Sequence, residues 1–221
     1  MILLDSARIP GDGRELGLYR HDRDFVIKIL GGQDLMSTRT HGSEDALGEL
    51  ACEPIADRPR PRVLIGGLGM GFTMASALRK LGPDAEVWVA ELVPEVVEWN
   101  RGPPGAHAGH PLRDPRVGVR TVDVSIILKA EPHGFDAIAL DVDNGPAGLT
   151  REGNDWLYSG TGLNASYQAL RPGGVLAVWS VGPDRAFSGL LRRTGFEVDE
   201  VRTRAHRGKG PRHLIWIARP R

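Results

Sequence analysis

Hydrophobic positions fall along this chain in two rhythms. From Arg62 onward, short continuous apolar runs alternate with longer mixed stretches. The runs Arg62–Ile65, Glu86–Glu91, Phe135–Asp141 and Gly174–Trp179 are built largely from Val, Ile, Leu and Ala, and Arg116–Thr121 carries two Val in the same role. Strands of that composition are buried on both faces, as in a parallel sheet covered by helices. The segments 71–81, Pro94–Trp99, Val124–Ala130, Trp156–Leu170 and Arg185–Arg193 between and after them read as helices. Strand and helix in alternation predict an α/β fold with a doubly wound, mostly parallel sheet. The last two runs, Glu197–Arg204 and His213–Ala218, have no helix between them. They are expected to close a seven-stranded sheet as an antiparallel hairpin.

Residues 1–53 follow the other rhythm and read as a small β-rich segment with one helix, set before a second region at 54–221. Leu16–Tyr19 and Phe25–Ile29 are short strand patterns around a polar turn, which predicts a hairpin. Ser43 before Glu44, Asp45, Ala46 and Leu47 reads as the N-cap of a helix running to about Cys52. Pro54, Pro59 and Pro61 make a stiff connector.

Composition narrows the function classes. In 221 residues, 28 Lys and Arg balance 28 Asp and Glu, so no general attraction to nucleic acid or an anionic membrane is expected. The basic stretch Arg202–His213 reads as a solvated turn of the closing hairpin. A single cysteine, Cys52, excludes an intrachain disulfide, and the seven His lack ligand spacing, so no metal site is expected. The opening MILLDSARIP is too short and too interrupted for a signal peptide, and nothing approaches a membrane span. A cytoplasmic protein is the expectation.

The candidate chemistry starts at Gly66-Gly67-Leu68-Gly69-Met70-Gly71, a glycine turn between the first strand and first helix of the larger region. Such a turn brings a ligand against bare backbone, beside amide N–H groups and the positive end of a helix. The spacing is G-x-G-x-G, not the G-x-G-x-x-G of a dinucleotide fingerprint, because Phe72 stands at the last position. That argues against NAD or FAD. Glu91 ends the second strand, where an acid accepts hydrogen bonds from ribose hydroxyls, unless it is only a solvated strand end. Asp123 ends the third and either meets an adenine amine or caps the helix from Val124. The three strand ends describe an adenosine pocket without a phosphate clamp, which suits a nucleoside sulfonium.

The fourth strand ends in Asp141-Val142-Asp143-Asn144-Gly145-Pro146, at the carboxyl edge where open α/β sheets carry their sites. Asp141, nearest the regular strand, is the candidate to face a ligand; the alternative for the pair is a turn held by Asx hydrogen bonds. Glu152 and Asp155 are either further acids for a cationic ligand or a solvated face, and Trp156 and Tyr158 either wall an amine or belong to the core.

The ordered set VLIGGLGMG, an acid after strand two, an aspartate after strand three and FDAIALDVDNGPAGL resembles the spermidine synthase family of polyamine aminopropyltransferases, over roughly Gly42 to Ser180. The resemblance implies a Rossmann-like, methyltransferase-type sheet behind a small β-domain. It implies aminopropyl transfer from decarboxylated S-adenosylmethionine to a small-molecule amine acceptor, with methylthioadenosine as leaving group. Gly66, Gly67, Gly69, Gly71, Glu91 and Asp123 then bind the donor, and Asp141 orients and deprotonates the attacking amine. Glu44, Asp143 and Asn144 fall on the acceptor side. Family members often dimerise through N-terminal strands, so a homodimer is an open expectation.

The departures cluster on the amine half. Gly69 replaces the family's aspartate for the donor amine, Asn144 the second strand-four aspartate, and Gly42-Ser43 the Tyr-Gln pair before Glu44. Two other readings therefore stay open: an S-adenosylmethionine-dependent methyltransferase, which the G-x-G-x-G turn suits, and a non-catalytic nucleoside-binding or interaction protein.

Overall fold

The structure, a computed structural model, describes residues 1–142, 155–206 and 209–221, residue 209 by its backbone alone. Four antiparallel strands come first: β1 (Ile2–Arg8), β2 (Glu15–His21), β3 (Asp24–Ile29) and β4 (Asp34–Ser37), paired in that order. The expected hairpin is β2–β3, with His21 opposite Asp24. Strands β1 and β4 were not expected. β1 is an edge strand with one buried residue, so its outward apolar residues give no alternation to read.

Helix α1 (Gly42–Cys52) follows, then β5 (Arg62–Gly66), α2 (Phe72–Lys80), β6 (Glu86–Ala90), α3 (Pro94–Arg101), α4 (Pro103–His107), β7 (Val117–Arg120), α5 (Val124–Ala130) and β8 (Phe135–Leu140). Next come α6 (Gly160–Ala169), β9 (Leu170–Ser180), α7 (Arg185–Arg193), β10 (Phe196–His206) and β11 (Lys209–Pro220). The seven-stranded sheet runs β10-β11-β9-β8-β5-β6-β7. Pairs among β5 to β9 are parallel, while β11 lies antiparallel between β9 and β10. The expected fold class and closing hairpin are those observed. The basic stretch is not a turn: it is mostly strand, with β10 reaching His206 and β11 starting at Lys209.

Burial explains the continuous apolar runs. On β5, Val63 and Ile65 enter one core and Leu64 the other; on β8, Ala137 and Ala139 oppose Ile138 and Leu140. Helices α1, α2 and α3 cover the first face and α5, α6 and α7 the second. Side chains alternate across a strand, so both faces need apolar residues.

The switch in sheet order falls between β5 and β8, since β5 leads outward to β6 and β7 and the chain then returns to β8. The crevice at their carboxyl ends is the site position of such sheets. Helix α1 reaches it by close packing on α2: a Cβ at Gly48 would lie 2.1 Å from Ser76 Oγ and 2.2 Å from the Thr73 carbonyl. Ser43 does not cap this helix. His41 holds the N-cap position with no side-chain cap bond, and the Ser43 hydroxyl is engaged elsewhere.

Candidate active site

The glycine turn is shaped by contacts that exclude side chains. Gly67 has φ +86°, and a Cβ there would sit 2.3 Å from the Asp141 carbonyl oxygen. Gly69 and Gly71 also have positive φ, at +54° and +82°. Gly66 fails on space: a Cβ would come 2.9 Å from Leu140. Asn100 holds the turn from α3, its Nδ2 donating to the Gly69 carbonyl at 2.8 Å.

Glu91 lies just past β6, nearly buried at 8% exposure, rather than turned out into solvent. Its Oε2 accepts from the Leu68 amide and its Oε1 from the Val93 amide, each at 2.9 Å. Burial pushes its carboxyl up from the ordinary value, and the backbone donors pull it back. The Leu92 and Gly69 amides also act on the carboxylate, so it sits in a nest of backbone donors. Asp123 caps α5, accepting from the Ser125 amide at 2.9 Å, and also lines the cavity beside Glu91. The helix-cap reading is thus correct without removing Asp123 from the pocket. This cavity, about 140 Å³, is bounded by Gly67, Gly69, Glu91, Asp123 and Asp141, with Met36 and Leu35 of the small sheet as cover.

Asp141, Val142, Gly69, Leu35 and Met36 are shared with a second cavity of about 310 Å³. Asp141 and Glu44 both line it. Thr73, in the first turn of α2, donates its hydroxyl to Asp141 Oδ2 at 2.9 Å. Burial pushes the Asp141 carboxyl up to about 6. Burial, then the neighbouring Asp141 charge, pushes Glu44 to about 7. Two carboxyls in one cavity do not both ionise freely, so the pair holds a proton close to neutrality. The remaining wall is aromatic and apolar, with Phe72, Trp179 and Val181, plus His213.

Glu44, Gly67, Gly69, Glu91, Asp123 and Asp141 are thus brought to one crevice; Gly66 and Gly71 line neither cavity and only shape the turn, while Asp143, Asn144 and Glu152 lie outside the described residues. Asp155 is exposed and lines neither cavity. Tyr158 is core, edge-on to Phe187 at 5.8 Å, and Trp156 packs on that same face under Lys129 Nζ. The amine-wall reading of these two aromatics is therefore incorrect; Phe72 and Trp179 are the aromatics of the cavity. Sequence reasoning missed Thr73, Asn100, the bond of Ser43 to Glu44 and His213. Polar residues inside apolar segments, as in FTMASAL and HLIWIA, are the only signal they leave. Among the described residues no cluster of metal-ligating groups occurs, and no helix is long and apolar enough to cross a membrane.

No protein-family model matches the sequence, and no curated protein matches it. Solved structures do. A spermidine synthase in complex with the transition-state analogue AdoDATO aligns over 99% of this chain and 72% of its own, with TM-score 0.73 and 19% identity. Spermidine synthase from Thermotoga maritima aligns over the same shares, with TM-score 0.74 and 19% identity. A probable spermidine synthase from Corynebacterium glutamicum ATCC 13032 aligns over 99% of this chain and 81% of its own, with TM-score 0.66 and 16% identity. From the small leading sheet to the closing hairpin, this chain has the fold of the spermidine synthases.

Proposed function

We propose that the protein is an aminopropyltransferase-like enzyme, acting on decarboxylated S-adenosylmethionine and a small amine. The observation that carries this reading is the Glu44–Asp141 carboxyl pair, set in a cavity continuous with the glycine turn and Glu91. A cationic amine entering a partly apolar cavity needs carboxylates to replace its hydration. It must also lose a proton before it attacks, and carboxyls with proton affinity near neutrality are suited to receive one.

In this reading Glu91 takes the ribose hydroxyls of the donor and Asp123 stands at the adenine. Gly67 and Gly69 let the sulfonium chain pass between the turn and Met36. The amine lone pair forms the new C–N bond as the C–S bond breaks and its electrons return to sulfur. The surplus amine proton goes to the carboxyl pair. The site supplies orientation and local charge, while the sulfonium supplies the leaving group.

Methyl transfer is the second reading, and Gly69 favours it: the turn presents backbone, not an acid, where a donor with an intact carboxylate would lie. Incubation with each donor and putrescine, reading methylthioadenosine or S-adenosylhomocysteine, separates the two. Methylthioadenosine release supports the first reading; release of S-adenosylhomocysteine alone rejects it.

A further inference from the structure

Ser43 and His213 are 170 positions apart in sequence and meet beside the carboxyl pair. The Ser43 hydroxyl, fully buried, donates to Glu44 Oε2 at 2.6 Å, and His213 Nδ1 lies 2.8 Å from Ser43 Oγ. A serine in the first turn of a helix ordinarily spends its hydroxyl on a backbone amide. Here it links a carboxyl to an imidazole instead. Trp179 sets the ring edge-on at 4.7 Å and 68°, and His213 Nε2 has no hydrogen-bond partner among the described residues. We propose that Ser43 and His213 are the proton outlet of the Glu44–Asp141 pair, draining to water the proton released by the acceptor amine at each turnover.

The need arises from the pair itself. A pair that already holds one proton near neutrality must be emptied before the next amine is deprotonated. The transfer balances without a co-reactant. When Glu44 is protonated at Oε2, the serine hydroxyl turns from that oxygen to Nδ1 of a ring protonated on Nε2; Glu44 then gives its proton to Ser43 Oγ while the serine's own proton moves to His213 Nδ1. The imidazolium then releases its Nε2 proton to water, serine is unchanged, and exchange of ring protons with water returns the imidazole to its Nε2-protonated form for the next turnover. Burial holds His213 below the ordinary imidazole value, so the ring passes the proton on rather than retaining it. Its titratable surroundings are simple among the described residues. On β10 it pairs with Thr203, and Ala205 lines the same cavity, while Arg202, Arg204 and Arg212 are exposed. β9 contributes Trp179, and α1 contributes Glu44 through Ser43, with Asp141 beyond.

This inference rests on the aminopropyl-transfer reading, and its test separates the two. The readout is steady-state release of methylthioadenosine across pH 6 to 9, on wild type, Ser43→Ala, His213→Gln and His213→Ala. Gln keeps a hydrogen-bonding group against Ser43 but cannot carry a proton. The outlet predicts that His213→Gln and Ser43→Ala lower kcat by about tenfold or more. KM for the donor and methylthioadenosine affinity stay unchanged, and added imidazole restores part of the rate to His213→Ala. If His213→Gln keeps the wild-type rate and pH profile, the histidine only supports Ser43 and the proposal is overturned. Should wild type bind methylthioadenosine yet release none from the decarboxylated donor and putrescine, the functional reading fails first. The linkage is then judged from the 15N resonances of the His213 ring. A change in Glu44→Gln that Ser43→Ala abolishes supports it, and resonances indifferent to both overturn it. If His213→Ala does not fold, the other two variants carry the test.

Discussion

At the proposed nucleoside end, the polar side chains are fastened to backbone: Glu91 to the Leu68 and Val93 amides, Asp123 to the Ser125 amide, Asn100 to the Gly69 carbonyl. At the proposed acceptor end they are fastened to one another, through Thr73–Asp141 and through Glu44–Ser43–His213. The first construction fixes shape and leaves charge static, as a surface for a nucleoside requires. The second leaves protons movable, because each partner is itself a hydroxyl, a carboxyl or an imidazole. One cavity runs into the other across Asp141 and Val142, so a rigid half and a titratable half share a wall.

The sharpest way to divide the halves is at that wall. Asp141→Asn is expected to lower turnover by about 10²- to 10⁴-fold while methylthioadenosine binding stays near wild type. Retention of full activity would remove Asp141 from the chemistry. Glu91→Gln should act the other way. A side-chain amide places an NH₂ against one of two backbone donors, and losing a charged acceptor costs about 1.5–3 kcal/mol. A fall of about 10- to 100-fold in methylthioadenosine affinity, read by calorimetry, is expected.

Gly67→Ala tests the shared wall from the backbone. An L-residue at φ +86° costs about 1–2 kcal/mol before the contact with the Asp141 carbonyl is relieved. Loss of both thermal stability and donor binding is the expected result, since the turn and the end of β8 must separate.

The smallest effect is a pH slope. Glu44 has its affinity for protons raised in the folded state, from 4.5 to about 7, so its neutral form favours folding. That contribution is complete below pH 4.5 and is lost as pH rises to about 7. Glu44→Gln should therefore flatten the fall in Tm across that interval, leaving a weaker slope from Asp141 between 3.8 and about 6. An unchanged slope would show that Glu44 does not hold its proton.

The same contrast explains what the sequence let one read. The glycine turn, Glu91, Asp123 and Asp141 stand at or just past the ends of strands β5, β6, β7 and β8, and a strand end is a local pattern of apolar residues running into a polar one. The seven-stranded sheet follows from the same runs, because two-sided burial forces continuous Val, Ile, Leu and Ala. The acceptor end has no local pattern. Glu44 arrives on a helix that approaches α2 only because Gly48 lacks a side chain, and His213 arrives on the last strand, inserted beside β9. Their meeting depends on sheet order, which a single chain of residues does not spell out. Ser43 shows the limit most plainly: its position in the first turn matches a helix cap, and only the approach of His213 gives its hydroxyl another use.

In the proposed function, the crevice at the carboxyl ends of β5, β6 and β8 holds a nucleoside sulfonium without its carboxylate. The direct measurement is thermal unfolding of the protein with decarboxylated S-adenosylmethionine, S-adenosylmethionine or methylthioadenosine at matched concentrations. A ligand at about 100 times its Kd adds about 2.7 kcal/mol of apparent stability. The decarboxylated donor and methylthioadenosine are expected to raise Tm, and the intact donor to raise it less. A larger rise with intact S-adenosylmethionine, or no rise with any of the three, would contradict the account.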